Sequence, residues 1–116
     1  MVLNDSLKSK LQDQHNISVE WYPTCASTND IAVLKAEDGF RGIIGADHQT
    51  HGRGRLERDW ESEEGSNILF SWVLDVEVPL NDVARIPLLW SAAIAEALDL
   101  HVQWPNDIVC SDGKKV

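Results

Sequence analysis

Apolar residues recur at helical spacing in three stretches of the sequence. Leucines four residues apart near the N-terminus predict a short amphipathic helix. Polar residues that favour helix starts precede the apolar run Ile31–Leu34, and Gly39 provides a stop for this second helix. In the third stretch the apolar positions trace one face, and Pro87 is expected in the first turn because proline lacks an N–H donor. The three predicted helices span 3–14, 28–37 and 83–99.

Other stretches are rich in β-forming residues or alternate in polarity. The segment 67–78 combines a long apolar run with alternating acidic residues near its end, which is typical of a strand that leaves the core. The segment 48–66 is rich in glycine and charge and has no period, so it is predicted to be a long functional loop. The predicted strands span 17–25, 42–47, 67–78, 102–104 and 108–110.

The Asp112-Gly113 pair near the C-terminus is typical of a tight hairpin turn. Such a turn predicts a returning strand of four or more residues, whereas the sequence stops at Val116. We therefore expect the sequence to be interrupted at this point, with an open strand edge through which the chain could self-associate.

Composition narrows the classes of function. With 116 residues, the chain forms one domain at most, or part of one. Ten lysines and arginines stand against nineteen acidic residues, and the net charge of −9 argues against non-specific attraction to DNA or anionic lipid. No apolar stretch is long enough to span a membrane, and the N-terminus lacks the apolar core of a signal peptide, so a cytoplasmic protein is expected. The cysteines and histidines show no metal-ligand spacing, so Cys25 and Cys110 are expected to be reduced, structural thiols.

Three of the ten basic residues, Arg53, Arg55 and Arg58, fall within six positions, beside Gly52 and Gly54. Arginine offers forked, bidentate donors, and glycine lets a ligand approach the backbone closely. The cluster therefore predicts a local site for a carboxylate or phosphate, with a solvated basic loop as the alternative. A nucleic-acid surface would need positive charge over a much wider area.

Three separated motifs, followed by a lysine, occur in a characteristic order. They are Ser27–Asn29 (STN), Gln49–Trp60 (QTHGRGRLERDW) and Trp104–Asp107 (WPND), and the lysine is Lys115. Together they resemble the catalytic domain of the biotin–protein ligases, and the resemblance covers residues 20–116. It implies an α+β fold related to the class II aminoacyl-tRNA synthetases, in which a mixed, mostly antiparallel sheet is backed by the second and third predicted helices.

The resemblance also implies a two-step reaction. The carboxylate of biotin attacks the α-phosphorus of Mg·ATP, which gives biotinyl-5′-AMP and pyrophosphate, and the acyl group then passes to a lysine of a biotin carboxyl carrier protein. Converging guanidinium groups would offset the repulsion between the two anions and stabilise charge on the transferring group. Biotin and ATP are then the expected substrates, Mg²⁺ the expected ion and the carrier protein the expected partner, with no nucleic acid or membrane involved.

The site residues that the resemblance implies fall into two groups. Those for biotin are Ser27, Thr28, Asn29, Gln49, Arg53, Gly54, Arg55 and Lys115, of which Arg55 and Lys115 are also the implied catalytic residues. Those for the nucleotide are Arg58, Trp60, Asn106 and Asp107, and Asp107 is also a candidate Mg²⁺ ligand. Simpler interpretations stay open, because hydroxyl residues before a helix can act only as caps, a tryptophan can belong to the core, and a Pro-Asn pair can form a turn.

The sequence departs from the family pattern in two respects. Gln103 stands where the family usually has a lysine, so one cation near the nucleotide is missing. The optional N-terminal DNA-binding domain and the C-terminal β-barrel domain are not part of the sequence, so residues 1–116 are expected to be the N-terminal part of the catalytic domain. Little or no ligase activity is then expected from this chain alone. The alternatives are a non-catalytic fragment that binds biotin or biotinyl-AMP and a relative of the lipoate ligases.

Overall fold

A computed structural model describes residues 5–54, 59–60, 67–104 and 106–116, with the backbone alone described at positions 59 and 60. The chain forms two compact units, Met1–Asp75 and Val76–Val116. The helices are α1 (Asp5–His15), α2 (Thr28–Glu37) and α3 (Ile86–Leu98), and a 3-10 helix covers Leu80–Arg85. The strands are β1 (Ser18–Cys25), β2 (Gly42–Gln49), β3 (Gly52–Arg53), β4 (Asp59–Trp60), β5 (Leu69–Val73), β6 (His101–Gln103) and β7 (Asp107–Val109).

The first unit is built on a three-stranded sheet with the strand order β1-β2-β5. Strands β1 and β2 are parallel and are connected through α2, whereas β2 and β5 are antiparallel. The pairs β3–β4 and β6–β7 are antiparallel as well. The predicted α+β class with a mixed, mostly antiparallel sheet is therefore confirmed for the part of the chain that the structure describes.

Helix α2 covers one face of this sheet by packing on β2 and β5. The central residues Ile44 and Ala46 of β2 are completely buried, and Ala32 of α2 and Leu69 of β5 are 5% and 8% exposed. The burial of these apolar side chains is the main term that holds the helix on the sheet. It also fixes where α2 begins relative to the ends of the strands.

On the opposite face of the sheet, the indole of Trp21 lies across Gly45 of the neighbouring strand β2. A Cβ atom built at Gly45 would stand 2.1 Å from the nearest atom of the indole ring. The ring is also held by a hydrogen bond of 3.0 Å from Trp21 Nε1 to Asp47 Oδ1. Glycine at position 45 is therefore what allows the indole to lie against the backbone.

The three predicted helices are confirmed within the described residues. Helix α2 spans the predicted positions 28–37, and Gly39 follows it with a left-handed φ of 89°. The third predicted helix starts as the 3-10 helix, and α3 then carries Pro87 in its first turn as expected. None of the helices in the described ranges has the length and apolarity to cross a membrane.

The prediction of a loop over 48–66 was wrong in part. Strand β2 continues to Gln49, and Gly52–Arg53 pairs with Asp59–Trp60 in an antiparallel ladder. Strands of two residues are too short to show a period of hydrophobicity, so only their pairing reveals them. Residues 55–58 and 61–66 of this segment lie outside the described residues.

The strand predicted over 67–78 is shorter in the structure than the hydrophobic pattern of the sequence indicates. Strand β5 ends at Val73, whose partner in the register is Gly42, the first residue of β2. No residue of β2 is left to pair with the alternating residues that follow Val73. The apolar alternation therefore extends beyond the strand, because pairing and not pattern sets the strand end.

The second unit combines α3 with the β6–β7 hairpin, against which the helix packs. The two strands begin and end one residue earlier than predicted. The predicted turn at Asp112-Gly113 is confirmed, because Gly113 has a φ of 83° and the chain returns antiparallel through a bridge between Val109 and Lys115.

Glu20 of β1 ties the sheet to the second half of α2. Its Oε1 accepts a hydrogen bond of 2.9 Å from Lys35 Nζ, and its Oε2 accepts one of 2.9 Å from the Tyr22 hydroxyl. The hydrogen bond from Lys35 holds the pKa of Glu20 below its ordinary value of 4.5, although partial burial opposes the shift. The hydrogen bond to Glu20 likewise raises the pKa of Tyr22.

Replacing Glu20 with glutamine is expected to make the unfolding free energy less sensitive to acid. A lowered native pKa contributes stability above the unfolded-state pKa, and this contribution is lost as the pH falls through the native pKa, so it fades below about 4.5. Because the side chains of Glu20 and Lys35 are 36% and 37% exposed, solvent screening keeps the effect small. Urea unfolding at a series of pH values measures it, with Tyr22→Phe as a control that keeps the Lys35 contact. An equal acid-induced loss in the wild type and Glu20→Gln would contradict the prediction.

Candidate functional site

A cavity of about 350 Å³ lies in the first unit where α2 begins and β3 passes. Among the described residues, Ser27, Asn29, Arg53 and Gly54 line it. All four belong to the set that the sequence motifs singled out, and they come from two motifs that lie twenty positions apart. The structure therefore brings together the STN motif and the start of the glycine- and arginine-rich segment.

The backbone explains why these two motifs meet. Beyond the ends of β1 and β2, the Thr50 N–H donates to the Cys25 carbonyl at 2.9 Å and the His51 N–H donates to the Ala26 carbonyl at 2.8 Å. These bonds keep the two segments of the chain side by side after the regular β1–β2 pairing ends. Strand β3 consequently starts next to the first turn of α2.

Ser27 occupies the N-cap position of α2 without acting as its side-chain cap. Its backbone is extended, with φ −154° and ψ 133°, and its side chain makes no capping hydrogen bond. The residue is only 3% exposed, and it lines the cavity. The interpretation of Ser27 as nothing more than a helix cap is therefore not what the structure favours.

Thr28 and Gln49 lie beside the cavity rather than among its lining residues. The Thr28 N–H donates to Gln49 Oε1 at 2.7 Å, so the amide of Gln49 satisfies one of the N–H groups at the start of α2 that have no partner within the helix. The hydroxyls of Thr28 and Ser71 are 2.9 Å apart and form a hydrogen bond. Thr28 itself is 4% exposed.

Arg53 brings positive charge to the cavity, and part of that charge is already paired. One terminal nitrogen of its guanidinium donates to Oδ1 of Asp30, which lies in the first turn of α2. Both side chains are about half exposed, at 55% for Arg53 and 50% for Asp30. A guanidinium carries five N–H donors in a planar fork, so a second anion can bind Arg53 while Asp30 holds it.

Two functional candidates, Asp30 and Ser71, were missed by the sequence analysis. Asp30 is ordinary as an acidic residue in the first turn of a helix, and only its partner Arg53 makes it noteworthy. Ser71 carries a weak signal, since it interrupts an apolar run within a predicted strand. Neither side chain could be linked to its partner before the fold was known.

The second unit holds the remaining described candidates. Lys115 Nζ lies 3.0 Å from Asp107 Oδ2, and this ion pair joins the returning strand to β7. Asn106 directly precedes β7. The structure thus brings together Asp107 and Lys115, which the sequence motifs had placed in the nucleotide and biotin groups respectively.

The remaining predicted residues have no described side chain. Arg55 and Arg58 lie outside the described residues, and Trp60 is described only by its backbone, which pairs with Gly52. Their assigned roles stay predictions. Within the described ranges, no three histidine, cysteine or acidic side chains are gathered in a way that could hold a metal ion.

Comparison with known proteins relates the sequence and fold of this chain to a family of ligases. The model of the biotin/lipoate A/B protein ligase family matches residues 11–116. The sequence is 32% identical over 117 residues to the bifunctional ligase/repressor BirA of Bacillus spizizenii, an alignment that covers 95% of this chain. The chain spans 35% of the length of that relative.

Solved structures give the same result for the fold. A biotin protein ligase from Aquifex aeolicus, in complex with biotin and ATP, superposes with a TM-score of 0.67 at 33% identity and covers 84% of this chain and 43% of its own. The biotin protein ligase from Leishmania major, in complex with biotinyl-5-AMP, has a TM-score of 0.66 at 25% identity and covers 84% of this chain and 49% of its own.

Proposed function

Because the chain belongs to the biotin/lipoate A/B protein ligase family, we propose that it forms the N-terminal part of a biotin–protein ligase catalytic domain. In this proposal the whole protein activates biotin with ATP and transfers the biotinyl group to a lysine of a biotin carboxyl carrier protein. The carrier would be the partner, and the reaction would take place in the cytoplasm without nucleic acid or membrane.

The cavity at the start of α2 is the observation that supports this proposal. Biotin combines a cyclic urea, which both donates and accepts hydrogen bonds, with a carboxylate at the end of an alkyl chain. The hydroxyl of Ser27 and the amide of Asn29 can donate and accept, and Arg53 offers donors to a carboxylate. Hydroxyl, amide and guanidinium groups around one cavity therefore fit this ligand class well.

The proposed chemistry starts with a bond between two anions. A carboxylate oxygen of biotin attacks the α-phosphorus of ATP, the bond from that phosphorus to the bridging oxygen breaks, and pyrophosphate leaves. Arg55 is the proposed catalytic guanidinium, and Arg53, Gly54, Thr28 and Gln49 are proposed to contact biotin. Guanidinium groups lower the repulsion between carboxylate and phosphate and stabilise charge that develops in the transition state.

The second step transfers the acyl group. The lysine nitrogen of the carrier attacks the biotinyl carbonyl carbon, AMP leaves with the acyl–oxygen bond electrons, and the lysine loses a proton as the amide forms. Lys115 is proposed to contact biotin's carboxylate and the adenylate, and Arg58, Trp60, Asn106 and Asp107 to contact the nucleotide.

Asp107 is a poor fit for a protein-held Mg²⁺ in this structure. Its carboxylate is already paired with the cationic Lys115, and among the described residues it belongs to no group of three or more histidine, cysteine or acidic side chains that could hold an ion. Mg²⁺ bound with ATP usually keeps several waters and is held largely by the phosphates. We therefore propose that the ion arrives with the nucleotide, and no step depends on Asp107 as its ligand.

Calorimetric titration of the 116-residue chain tests the proposal. Biotin and biotinyl-5′-AMP are expected to bind, whereas lipoic acid, the substrate of the related ligases, is expected to bind at least about tenfold more weakly because a dithiolane leaves the polar cavity groups unpaired. ATP–pyrophosphate exchange that depends on biotin is expected to be absent in this chain, which spans about a third of its relative. Absence of biotin binding, or preference for lipoic acid, would overturn the assignment to biotin.

A further inference from the structure

Ser71 places a partly buried hydroxyl beside apolar residues of the sheet. It lies opposite Ile44 in the register of β2 and β5, on the side of the sheet that α2 covers, and Ile44 is completely buried. Leu69, two positions earlier on the same side of β5, is 8% exposed. A hydroxyl in such surroundings costs free energy unless it is hydrogen-bonded, and the partner here is the hydroxyl of Thr28 at 2.9 Å.

The partner residue is held from two directions. Thr28, the first residue of α2, donates its N–H to Gln49 of β2 at 2.7 Å and shares its hydroxyl with Ser71 of β5. Its neighbours in sequence, Ser27 and Asn29, are both cavity-lining residues. The two bonds therefore fix the segment that forms one wall of the cavity.

Stability alone does not explain a pair of hydroxyls here. Replacing both partners of such a partly buried hydrogen bond by apolar groups of the same shape can be nearly neutral or even stabilising. A valine–alanine pair would fill the same space between α2 and β5. The hydroxyls therefore point to a requirement for a defined orientation.

We propose that Ser71 is a positioning residue for ligand binding, which acts through the Thr28 hydroxyl to orient Ser27 and Asn29 toward the cavity. The proposal rests on the proposed function, since it takes the cavity to be the biotin site. Ser71 itself does not contact the ligand. Its contribution is to restrict the start of α2 before the ligand arrives, so that less ordering is needed on binding.

Biotin titration of single and double variants tests this role. Ser71→Ala is expected to weaken biotin binding by roughly fivefold to tenfold, the range for one lost hydrogen bond. Ser71→Thr keeps a hydroxyl and is expected to restore most of the affinity. In a Thr28→Val background the same Ser71→Ala change is expected to have no further effect, because the double-mutant cycle isolates the pair.

Urea unfolding of the same variants separates positioning from folding. The doubly apolar variant Thr28→Val/Ser71→Ala is expected to unfold near the wild-type urea concentration while it binds biotin as weakly as Thr28→Val. Wild-type affinity in Ser71→Ala, or an undiminished effect in the Thr28→Val background, would overturn the role of Ser71. If the doubly apolar variant recovered affinity together with stability, the role would be structural only and the proposal wrong.

Asn29→Ala distinguishes failure of this proposal from failure of the proposed function. Asn29 lines the cavity but takes no part in the hydroxyl pair. If Asn29→Ala weakens biotin binding and Ser71→Ala does not, only the role of Ser71 falls. If neither change affects biotin binding, or the wild-type chain binds no biotin, the cavity is not the biotin site and both proposals fall.

Discussion

Replacing Gly45 with alanine is expected to cost about 3 kcal/mol of unfolding free energy, the upper end of the usual range for an overpacked core. The new Cβ would stand 2.1 Å and 2.2 Å from two atoms of the Trp21 indole, far inside van der Waals contact. The indole is rigid, so it must move as a whole. Such a movement breaks its hydrogen bond to Asp47.

A pair of control variants identifies the cause of this loss. In a Trp21→Ala background the ring is gone, so adding Gly45→Ala is expected to cost well under 1 kcal/mol, although Trp21→Ala is itself destabilising. Gly39→Ala meets no atom within 4 Å but must adopt a φ of 89°, so it reports backbone strain of about 1 kcal/mol without a clash. Urea unfolding followed by circular dichroism measures the wild type and the four variants. A Gly45→Ala chain as stable as the Gly39→Ala chain would contradict the expected contact with Trp21.

The second large effect concerns the charge of the ligand. If Arg53 binds the carboxylate of biotin, the chain is expected to bind biotin more tightly than its neutral amide, biotinamide. Arg53→Gln is then expected to reduce that preference by roughly tenfold, since hydrogen bonds to charged groups contribute about 1.5–3 kcal/mol before screening. Asp30→Asn is expected to change the preference in the opposite direction, by about twofold to fivefold, because it removes a competing negative charge at half-exposed Arg53.

The ratio of the two dissociation constants is the useful readout. A variant that merely disturbs the cavity weakens the binding of biotin and of biotinamide alike and leaves the ratio of their dissociation constants unchanged. Asp38→Asn, at the far end of α2, removes the same charge without a contact to Arg53 and is expected to leave the ratio at the wild-type value. Equal ratios for Asp30→Asn and Asp38→Asn would show that the pairing with Arg53 does not affect ligand binding.

The sequence predicts the helices of this fold better than its strands. Helix α2 was predicted over its observed residues because capping residues precede it, an apolar run fills it and Gly39 follows it, and all these signals are local. The end of β5 at Val73 was not predictable, because it depends on where β2 begins. The β3–β4 pair was missed for the same reason, since two residues have meaning as a strand only beside a partner.

The site shows the same division. Ser27, Asn29, Arg53 and Gly54 were selected by motif, and the structure places them around one cavity. Asp30 and Ser71 were not selected, because their significance comes from the side chains they meet across the fold. The sequence also grouped Thr28 and Gln49 with the ligand contacts. In the structure they bond to each other beside the cavity, and their contact with the ligand stays a proposal.

The described residues that line the cavity fall between positions 27 and 54. If the cavity holds the ligand as proposed, exchanging this block of the gene between homologues is expected to change ligand preference. Ser71 limits which blocks are compatible. A donor block has to bring a hydroxyl at position 28, or the partly buried hydroxyl of Ser71 in the recipient loses its hydrogen-bond partner.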